Sequence, residues 1–315
     1  MEPGNQTAVS EFILLGLSEE PQHQALLFGA LLCVYLVTVF GNLLISLAIV
    51  SDARLHTPMY FFLFNLSLVD ILFSSTTVPK MLAIIHTRSG AIPLAGCLAQ
   101  MYAFHLFGTM DSFLLAAMAI DRYAAVVHPL RYSALMSPRA CGLLLGVPWV
   151  ATHLQSLVHT CLMAQLTFCA GARIPHFFCD LMPLLKLSCS DTRANKLAVL
   201  AFGVAMGVSP LACILLSYLC ICREVCRVPS APGKWRKALS TCGSHLTVVS
   251  LFYGTIFAVY LQPESPSSSS RKDKAAALMC GVVIPMLNPF IYSLRNKDIK
   301  AALRKLSANA ASSRS

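Results

Sequence analysis

The chain has 315 residues, of which 56% are hydrophobic and only 12% charged, and its formal net charge is +10. Soluble domains carry roughly 25% charged residues, so this composition excludes an ordinary water-soluble domain and indicates a protein whose main solvent is lipid. The basic excess does not require a nucleic-acid partner, because basic residues of membrane proteins collect in the loops on the cytoplasmic side.

Apolar windows of about 20 residues, the length that crosses a bilayer as a helix, predict seven membrane spans. In chain order they cover residues 25–50, 58–86, 97–120, 140–158, 196–222, 238–261 and 275–294. The expected fold is therefore an all-α membrane protein, a seven-transmembrane helix bundle. The apolar stretch 12–17 is too short for a secretory signal, so the first span is expected to direct insertion.

An odd number of spans places the two chain ends on opposite sides of the membrane. The loops and tail on the C-terminal side carry fifteen Lys and Arg residues, whereas the opposite side carries eight. The positive-inside rule therefore predicts a multi-pass plasma-membrane protein with an outside N-terminus. We expect an extracellular tail over 1–24, the membrane domain over 25–294, and a cytoplasmic amphipathic helix and tail over 295–315. Ile299, Leu303 and Leu306 share one face of that helix, which would lie on membrane lipid.

The predicted outer side carries groups typical of a secreted environment. Asn5-Gln6-Thr7 is a glycosylation sequon in the outer tail. Five cysteines fall on or near this side, where oxidising conditions permit disulfides: Cys97, Cys161, Cys169, Cys179 and Cys189. A bridge from the third span to the loop before the fifth would fold that loop over the bundle as a lid, but the residues alone leave the pairing open. The inner Cys220, Cys222 and Cys226 are interpreted as structural thiols, because no His stands near them.

Several polar groups interrupt the apolar spans. Asn42, Asp70 and the segment Asn288-Pro289-Phe290-Ile291-Tyr292 are examples, and the proline frees a backbone carbonyl that a nearby polar group must satisfy. Asp111 lies eleven residues before Arg122, about 16 Å deeper at 1.5 Å per residue, near mid-membrane. If Asp70 faces it, either one acid is protonated or a cation lies between them. A sodium site at Asp70 and Asp111 is one hypothesis, and a protonated pair is the alternative.

Helical spacing outlines a candidate ligand pocket in the outer half of the bundle. Tyr253, Ile256, Phe257 and Tyr260 share one face of the sixth span. The other spans contribute a further group: Phe104, His105, Gly108 and Thr109 in the third, Phe202, Gly203 and Met206 in the fifth, and Leu278 and Gly281 in the seventh. The two glycines Gly108 and Gly203 are expected to leave volume, whereas His105, Thr109 and Tyr260 offer hydrogen bonds. Plain helix packing is the alternative, because such stripes more often reflect it.

The charge inventory of this region narrows the ligand. Apart from Lys196 at the very top, the outer halves of the third, fifth and sixth spans contain no Asp, Glu, Lys or Arg. A charged ligand would be buried unpaired there, at a cost of several kcal/mol. We therefore expect a small, neutral, lipophilic ligand such as an alcohol, aldehyde, ketone or ester.

Five sequence strings at the predicted span edges and loops carry a family resemblance. They are LHTPMYFFL (55–63), MAIDRYAAVVHPLRYSALMSP (118–138), HFFCDL (176–181), KALSTCGSHL (237–246) and PMLNPFIYSLRNK (285–297). Together, and in this order, they resemble the odorant receptors, a branch of the rhodopsin-like G protein-coupled receptors. Two positions depart from the family pattern, Ile120 and Val127, where Tyr and Cys are usual. Both lie beside the face that would meet a G protein.

The resemblance implies a function and residue roles. It implies a receptor, not an enzyme, that couples to a heterotrimeric G protein of the stimulatory Golf/Gs type and raises cyclic AMP. It assigns activation to Asp121, Arg122, Tyr123, Asn288, Pro289 and Tyr292, with Arg122 paired to Asp121 at rest and released towards Tyr218 and Tyr292. It also implies the disulfides Cys97–Cys179 and Cys169–Cys189.

Other functions are less compatible with the residues. A transporter should show internal repeats with matched broken helices, and none is visible. An intramembrane enzyme would need a nucleophile beside a base, and no motif places one there. A closer alternative is a chemosensory receptor of the same family acting outside the olfactory epithelium.

Overall fold

The computed structural model describes residues 10–17, 21–168, 173–227, 234–260 and 269–312. Within these residues six helices are long and apolar enough to cross a membrane, and a further apolar helix is shorter. In chain order we label the helices α1 (Pro21–Ser51), α2 (Pro58–Thr87), α3 (Leu94–Val127), α4 (Pro138–Ala164), α5 (Arg193–Arg227), α6 (Lys234–Tyr260), α7 (269–295) and α8 (Lys297–Ser312). The predicted fold, a seven-helix bundle with a C-terminal amphipathic helix, is confirmed.

The helices run beyond the predicted spans, and α3 shows why. The apolar window stops at the charged Asp121, whereas the helix continues to Val127. Backbone hydrogen bonds hold a helix together irrespective of side-chain polarity, so hydropathy marks the membrane boundary rather than the helix end. The residues that begin a helix give a more local signal than hydropathy does. Helices α2 and α4 both begin with proline, and Ser137 caps α4 by accepting from the Ala140 N–H at 3.4 Å.

Helix α3 forms the axis of the bundle. It packs against α2, α4, α5 and α6, while α1 packs against α2, α7 and α8. The largest fully buried side chains on α3 are Met101, Met110, Leu114, Leu115 and Met118. A side chain on α3 can therefore contact several helices at once, which places the predicted pocket, the paired acids and Arg122 on one rigid element.

Two helices contain a widened turn in mid-course. The segments Gly203–Val208 in α5 and Met279–Val283 in α7 adopt π-helical turns, in which each hydrogen bond spans five residues. Such turns are rare and occur frequently at functional sites. Both coincide with predicted ligand positions, Gly203 and Met206 in α5 and Gly281 in α7.

A small sheet covers one end of the bundle, which we call the outer end because the sequence predicts the extracellular loops there; the opposite end is called the inner end. Strand β1 (Glu11–Leu14) pairs antiparallel with β2 (Ala91–Pro93) and parallel with β3 (Arg173–Ile174). Phe12 and Leu14 point inward and are buried, whereas Glu11 and Ile13 are exposed. The sequence predicts no strand over residues 12–17, because the pairing partners of β1 lie far away in the chain.

Helix α8 lies against the inner end of the bundle. Its apolar face is covered, since Ile299 and Ala302 are buried among core residues. Hydrogen bonds fix its start: Asn296 Nδ2 donates to Tyr60 Oη at 2.9 Å, and the Tyr60 hydroxyl donates to an Asp298 carboxylate oxygen at 3.3 Å. The helix is therefore held by protein packing, in addition to any contact with lipid.

Candidate functional site

The loop before α5 closes the outer end of the bundle. Cys97 at the start of α3 forms a disulfide with Cys179, as the family resemblance implied. Gln100 reinforces this connection, because its Oε1 accepts from the Cys179 N–H at 2.9 Å and its Nε2 donates to the Thr76 carbonyl at 2.8 Å. Cys189 is also disulfide-bonded, whereas its expected partner, Cys169, lies outside the described residues.

The lid fills the mouth of the predicted pocket with aromatic rings. Phe177 and Phe178 are buried, and the Phe178 ring centroid lies 4.3 Å from that of Phe104. Phe104 also contacts Phe73 of α2, at 5.0 Å between centroids. Leu278 packs against the same group. The predicted residues Phe104 and Leu278 therefore meet beneath the lid.

A second group of rings joins α3, α4 and α5. The His105 and His159 centroids are 5.9 Å apart, and His159 contacts the edge of Phe202 at 5.4 Å. His105 Nδ1 lies 2.9 Å from the Met101 carbonyl and donates to it, which leaves Nε2 as an acceptor in the neutral ring. His159 is buried and was missed from the sequence, because a single His in an apolar span gives no directional signal.

One expectation about pocket volume is wrong. Gly108 was expected to leave space, but a Cβ built there would lie 2.9 Å from Phe73 Cζ, so the Phe73 ring already occupies that position. Gly203 is exposed and has no heavy atom within 4 Å of such a Cβ, so its contribution to pocket volume stays a prediction. Gly281 lies near the same rings as Gly108, with its built Cβ 3.7 Å from Phe104. Gly108 therefore permits close helix packing instead of a cavity.

Only part of the predicted ligand-binding face of α6 lies in the interior of the bundle. Tyr253 is buried, Ile256 is half-buried against the core, and Phe257 exposes 42% of its surface. The Tyr253 and Phe257 centroids are 6.5 Å apart. The side chain of Tyr260 lies outside the described part of the structure, whereas Thr109 and Met206 are half-buried. Tyr253 thus belongs to the packed interior, and Phe257 to its edge.

The described cavities do not coincide with this cluster. One, of about 520 Å³, lies on the outer side beneath β1 and reaches Phe177. The other, of about 680 Å³, is mainly apolar and lies between the inner ends of α1, α2 and α4. Neither of these two cavities is lined by Phe104, His105 or Phe178.

Below the ring cluster, the predicted polar network forms around α7. Asn288 Nδ2 donates to both carboxylate oxygens of Asp70, at 2.8 and 3.1 Å. Asn42 Nδ2 donates to the Pro285 carbonyl at 3.1 Å, the group left without its helical donor by Pro289. The expectation that a polar side chain satisfies this carbonyl is therefore confirmed.

The two membrane acids share this region. Asp70 and Asp111 are both buried and interact electrostatically. Whereas Asp70 is bonded to Asn288, one oxygen of Asp111, Oδ1, has no hydrogen-bond partner. An oxygen of this kind suits either a proton or a hard cation such as sodium.

At the inner end of α3, the arrangement differs from the resting pair expected from the resemblance. Asp121 accepts from the Tyr132 hydroxyl at 2.7 Å, and within the described residues it forms no ion pair with Arg122. The buried Nε of Arg122 has no hydrogen-bond partner. Tyr123 instead contacts His128, with 3.1 Å between the hydroxyl oxygen and Nε2. Arg122 and Asp121 therefore interact only electrostatically in this arrangement, without an ion pair among the described residues.

A histidine completes the inner face. His245 of α6 donates from Nε2 to the Leu115 carbonyl at 2.9 Å, so its Nδ1 accepts from the Tyr218 hydroxyl at 2.7 Å. Arg122 lies within electrostatic range of Tyr218, His245 and Tyr292, and the Tyr292 hydroxyl has no hydrogen-bond partner. The string around His245 was recognised from the sequence, but its role in joining α3, α5 and α6 was missed.

Comparisons with known proteins agree on one family. The family model described as "Olfactory receptor" matches residues 31–309. The chain is 72% identical to human Olfactory receptor 1I1 over 306 residues, covering 97% of this chain and 86% of that protein. It is 58% identical to mouse Olfactory receptor 1M1, covering 97% of each chain. A crystal structure of squid rhodopsin shares the fold, with a TM-score of 0.71 at 17% identity over 91% of this chain and 85% of that one.

Proposed function

Because the chain belongs to the olfactory receptor family of G protein-coupled receptors, which are receptors and not enzymes, we propose that it binds small neutral odorants beneath the outer lid. In this proposal the bound odorant activates a stimulatory Golf/Gs-type G protein, which raises cyclic AMP. The observation that carries the ligand class is the ring cluster around Phe104, His105 and Phe178, which contains no Asp, Glu, Lys or Arg among its described members.

The cluster favours a specific ligand chemistry. Aromatic walls stabilise an apolar body, and His105 Nε2 offers one hydrogen-bond acceptor for a hydroxyl. A protonated amine would find no carboxylate among these rings, so its burial would cost several kcal/mol. Lipophilic alcohols, aldehydes, ketones and esters therefore fit better than ions, and alcohols gain a hydrogen bond.

A matched panel tests the ligand class. Cells expressing the receptor and a cyclic AMP reporter would be exposed to alcohols, aldehydes, ketones and esters of six to ten carbons, alongside amines of equal length. The proposal expects at least one neutral compound to activate at lower concentration than its amine counterpart. If the amines were the more potent agonists, the proposed ligand class would be wrong.

The inner face supplies a mechanism for signalling. Ligand binding would favour the arrangement in which Arg122 is separated from Asp121 and turned towards Tyr218 and Tyr292. The Tyr132–Asp121 hydrogen bond supports this, because it occupies the acid that would otherwise hold Arg122. The equilibrium shifts only by the difference in ligand affinity between the two arrangements. Arg122, Asn288 and Tyr292 are thus proposed as the switch.

The proposed orientation has a direct test at the N-terminus. The bias of Lys and Arg towards the C-terminal side supports an extracellular N-terminal tail and a cytoplasmic α8. Asn5 would then be glycosylated, although it lies outside the described residues. Glycosidase treatment should shift the wild-type band on a gel and leave Asn5→Gln unshifted. Epitope tags on both ends that stain in the same compartment would contradict the topology.

A sodium ion between Asp70 and Asp111 remains a proposal. The unpartnered Asp111 Oδ1 supports it, because a buried carboxylate oxygen is a suitable ligand for a hard cation. Sodium at this position would hold the bundle in one arrangement and lower agonist potency. Replacing sodium by potassium should raise potency in wild type but not in Asp111→Asn. Equal potency in both salts for wild type would favour a protonated pair.

The tissue in which the receptor works is a separate question. A receptor of this family acting as a chemosensor outside the olfactory epithelium would use the same pocket and switch. Localisation of the transcript distinguishes the two, since the olfactory proposal expects it in olfactory sensory neurons.

A further inference from the structure

A cavity of about 520 Å³ on the outer side is separate from the ring cluster in the bundle. It lies between β1 and its following residues, the outer end of α2, and the lid. Its apolar wall includes Leu14, Leu17, Met81, Ile84, Ile85 and Phe177. No residue proposed above for odorant binding or for the Arg122 switch lines this cavity.

Two arginines line the same cavity. Arg88 directly follows α2, and Arg173 begins β3. Arg173 pairs with Ile13 at one edge of β1, whereas Arg88 precedes β2, which pairs with the other edge. Within the described residues neither guanidinium has an ion-pair partner, and no Asp or Glu lines the cavity.

We propose that this cavity binds a lipophilic monocarboxylate. A guanidinium presents a planar array of donors that matches the two oxygens of a carboxylate. The apolar wall stabilises an alkyl chain, at roughly 0.8 kcal/mol for each buried methylene. A neutral alcohol would leave both guanidinium groups without an anion, and a small hydrophilic anion would leave the apolar wall uncovered. The combination therefore selects a medium-chain carboxylate.

The position of the cavity gives the bound acid a way to affect the receptor. Phe177 lines the cavity and contacts Phe178, with 5.0 Å between centroids, and Phe178 contacts Phe104 in the ring cluster. A carboxylate bound against Phe177 would therefore act on the lid and change access for neutral odorants. This site is distinct from the proposed odorant pocket and does not depend on G protein coupling.

A direct binding measurement tests the proposal. The full-length chain in nanodiscs of zwitterionic phosphatidylcholine would be titrated with radiolabelled octanoate at pH 7.4, with empty nanodiscs as background. We expect saturable binding that excess 1-octanol and octylamine do not displace. Arg88→Gln and Arg173→Gln should each weaken binding about three- to fivefold, and the double variant about tenfold or more.

Matched variants distinguish this cavity from the ring cluster and from nonspecific partitioning of octanoate into lipid. Arg193→Gln is the control, because Arg193 is an exposed arginine that does not line the cavity, and its octanoate affinity should stay within about twofold of wild type. Phe104→Ala should also retain octanoate binding. Arg88→Lys and Arg173→Lys should keep more affinity than the glutamine variants, which controls for misfolding. Binding that is unsaturable, unchanged in the double glutamine variant, or lost in Phe104→Ala would overturn the proposal.

Discussion

His176 in the outer lid is a buried titratable group outside the membrane. It lies against the rings of Phe177 and Phe178, and burial lowers the pKa of its imidazole to about 4. The nearby Asp180 acts to raise this pKa, and Lys274 acts to lower it further. The folded lid therefore favours the neutral ring.

The first prediction concerns the pH dependence of the lid. A His whose folded pKa lies below its unfolded value of 6.5 stabilises the lid fully above pH 6.5 and loses that contribution as pH falls towards 4. At pH 5 the loss should be about 2 kcal/mol. Hydrogen exchange of residues 173–181 should accelerate between pH 7 and pH 5 after correction for intrinsic rates. His176→Asn should remove this acceleration, and a wild-type lid equally protected at both pH values would contradict the account.

A second prediction concerns Tyr132. Tyr132→Phe deletes the hydroxyl that donates to Asp121, so Asp121 becomes available to pair with Arg122. Hydrogen bonds to charged groups contribute about 1.5–3 kcal/mol, enough to change the balance of the switch roughly tenfold. Basal and maximal cyclic AMP responses should fall at equal surface amount. Tyr35→Phe, whose hydroxyl lies 2.9 Å from Ser75 Oγ, is the control, and an unchanged maximum in Tyr132→Phe would contradict this role.

For individual residues, the sequence predicts the role correctly where that role follows from a motif or from backbone chemistry. Pro289 predicts a backbone carbonyl that lacks its helical hydrogen-bond donor, and Asn42 donates to that carbonyl, which belongs to Pro285. Side chains whose partners come from remote helices were missed, as His159 shows. Gly108 was misjudged for a related reason, since only the fold reveals that Phe73 points at it.

Among the elements, β1 depends on a close backbone approach. A Cβ at Gly90 would collide with the carbonyl oxygen of Leu14, whose N–H donates to the Gly90 carbonyl at 2.9 Å. Backbone atoms cannot rotate away as a flexible side chain does. The third prediction is that Gly90→Ala separates β1 from the outer end of α2.

Hydrogen exchange measures this effect directly. In Gly90→Ala the amides of residues 11–14 should lose most of their protection, and surface delivery should fall. Gly142→Ala is the matched control, because its Cβ would meet no atom within 4 Å. Full protection of β1 in Gly90→Ala would contradict the close approach of the Gly90 and Leu14 backbones.

Helix α8 provides a fourth prediction. Ile299 is fully buried against the core, so Ile299→Asp would place an unpaired charge there and destabilise the chain by several kcal/mol. Ala301 is exposed on the opposite side, and Ala301→Asp should change stability by less than about 0.5 kcal/mol. Thermal unfolding of the purified protein compares the two. Equal thermal unfolding midpoints for the two variants would mean that α8 is held by lipid and not by protein.

The elements differ in how far the sequence predicts them. Long apolar runs identified the membrane helices, because lipid requires every backbone group to be satisfied within the segment. The π-helical turns in α5 and α7 were not predicted, since glycine is compatible with several local conformations. Strand β1 was missed because its four residues fold only against two remote segments.

For the whole molecule, α3 connects the two functional ends. Phe104 and His105 lie in the outer ring cluster, Asp111 lies beside Asp70, and Arg122 lies at the inner end, all on one continuous helix. The His245–Leu115 contact joins this axis to α6, and the Asp70–Asn288 contact joins the neighbouring α2 to α7. A ligand that moves the rings can therefore bias the switch through packed helices that have two arrangements.

The outer and inner ends of α3 should respond differently to mutation, so one experiment tests their coupling. Dose–response curves for cyclic AMP, with one neutral agonist and equal surface amounts, would compare wild type, Phe104→Ala and Arg122→Ala. Phe104→Ala should require about tenfold more agonist with its maximum retained, because it removes about 1.4 kcal/mol or more of ligand packing. Arg122→Ala should lose most of its maximum while still binding the agonist. An unchanged maximum in Arg122→Ala, or an unchanged potency in Phe104→Ala, would contradict the coupling of the outer rings to the inner arginine.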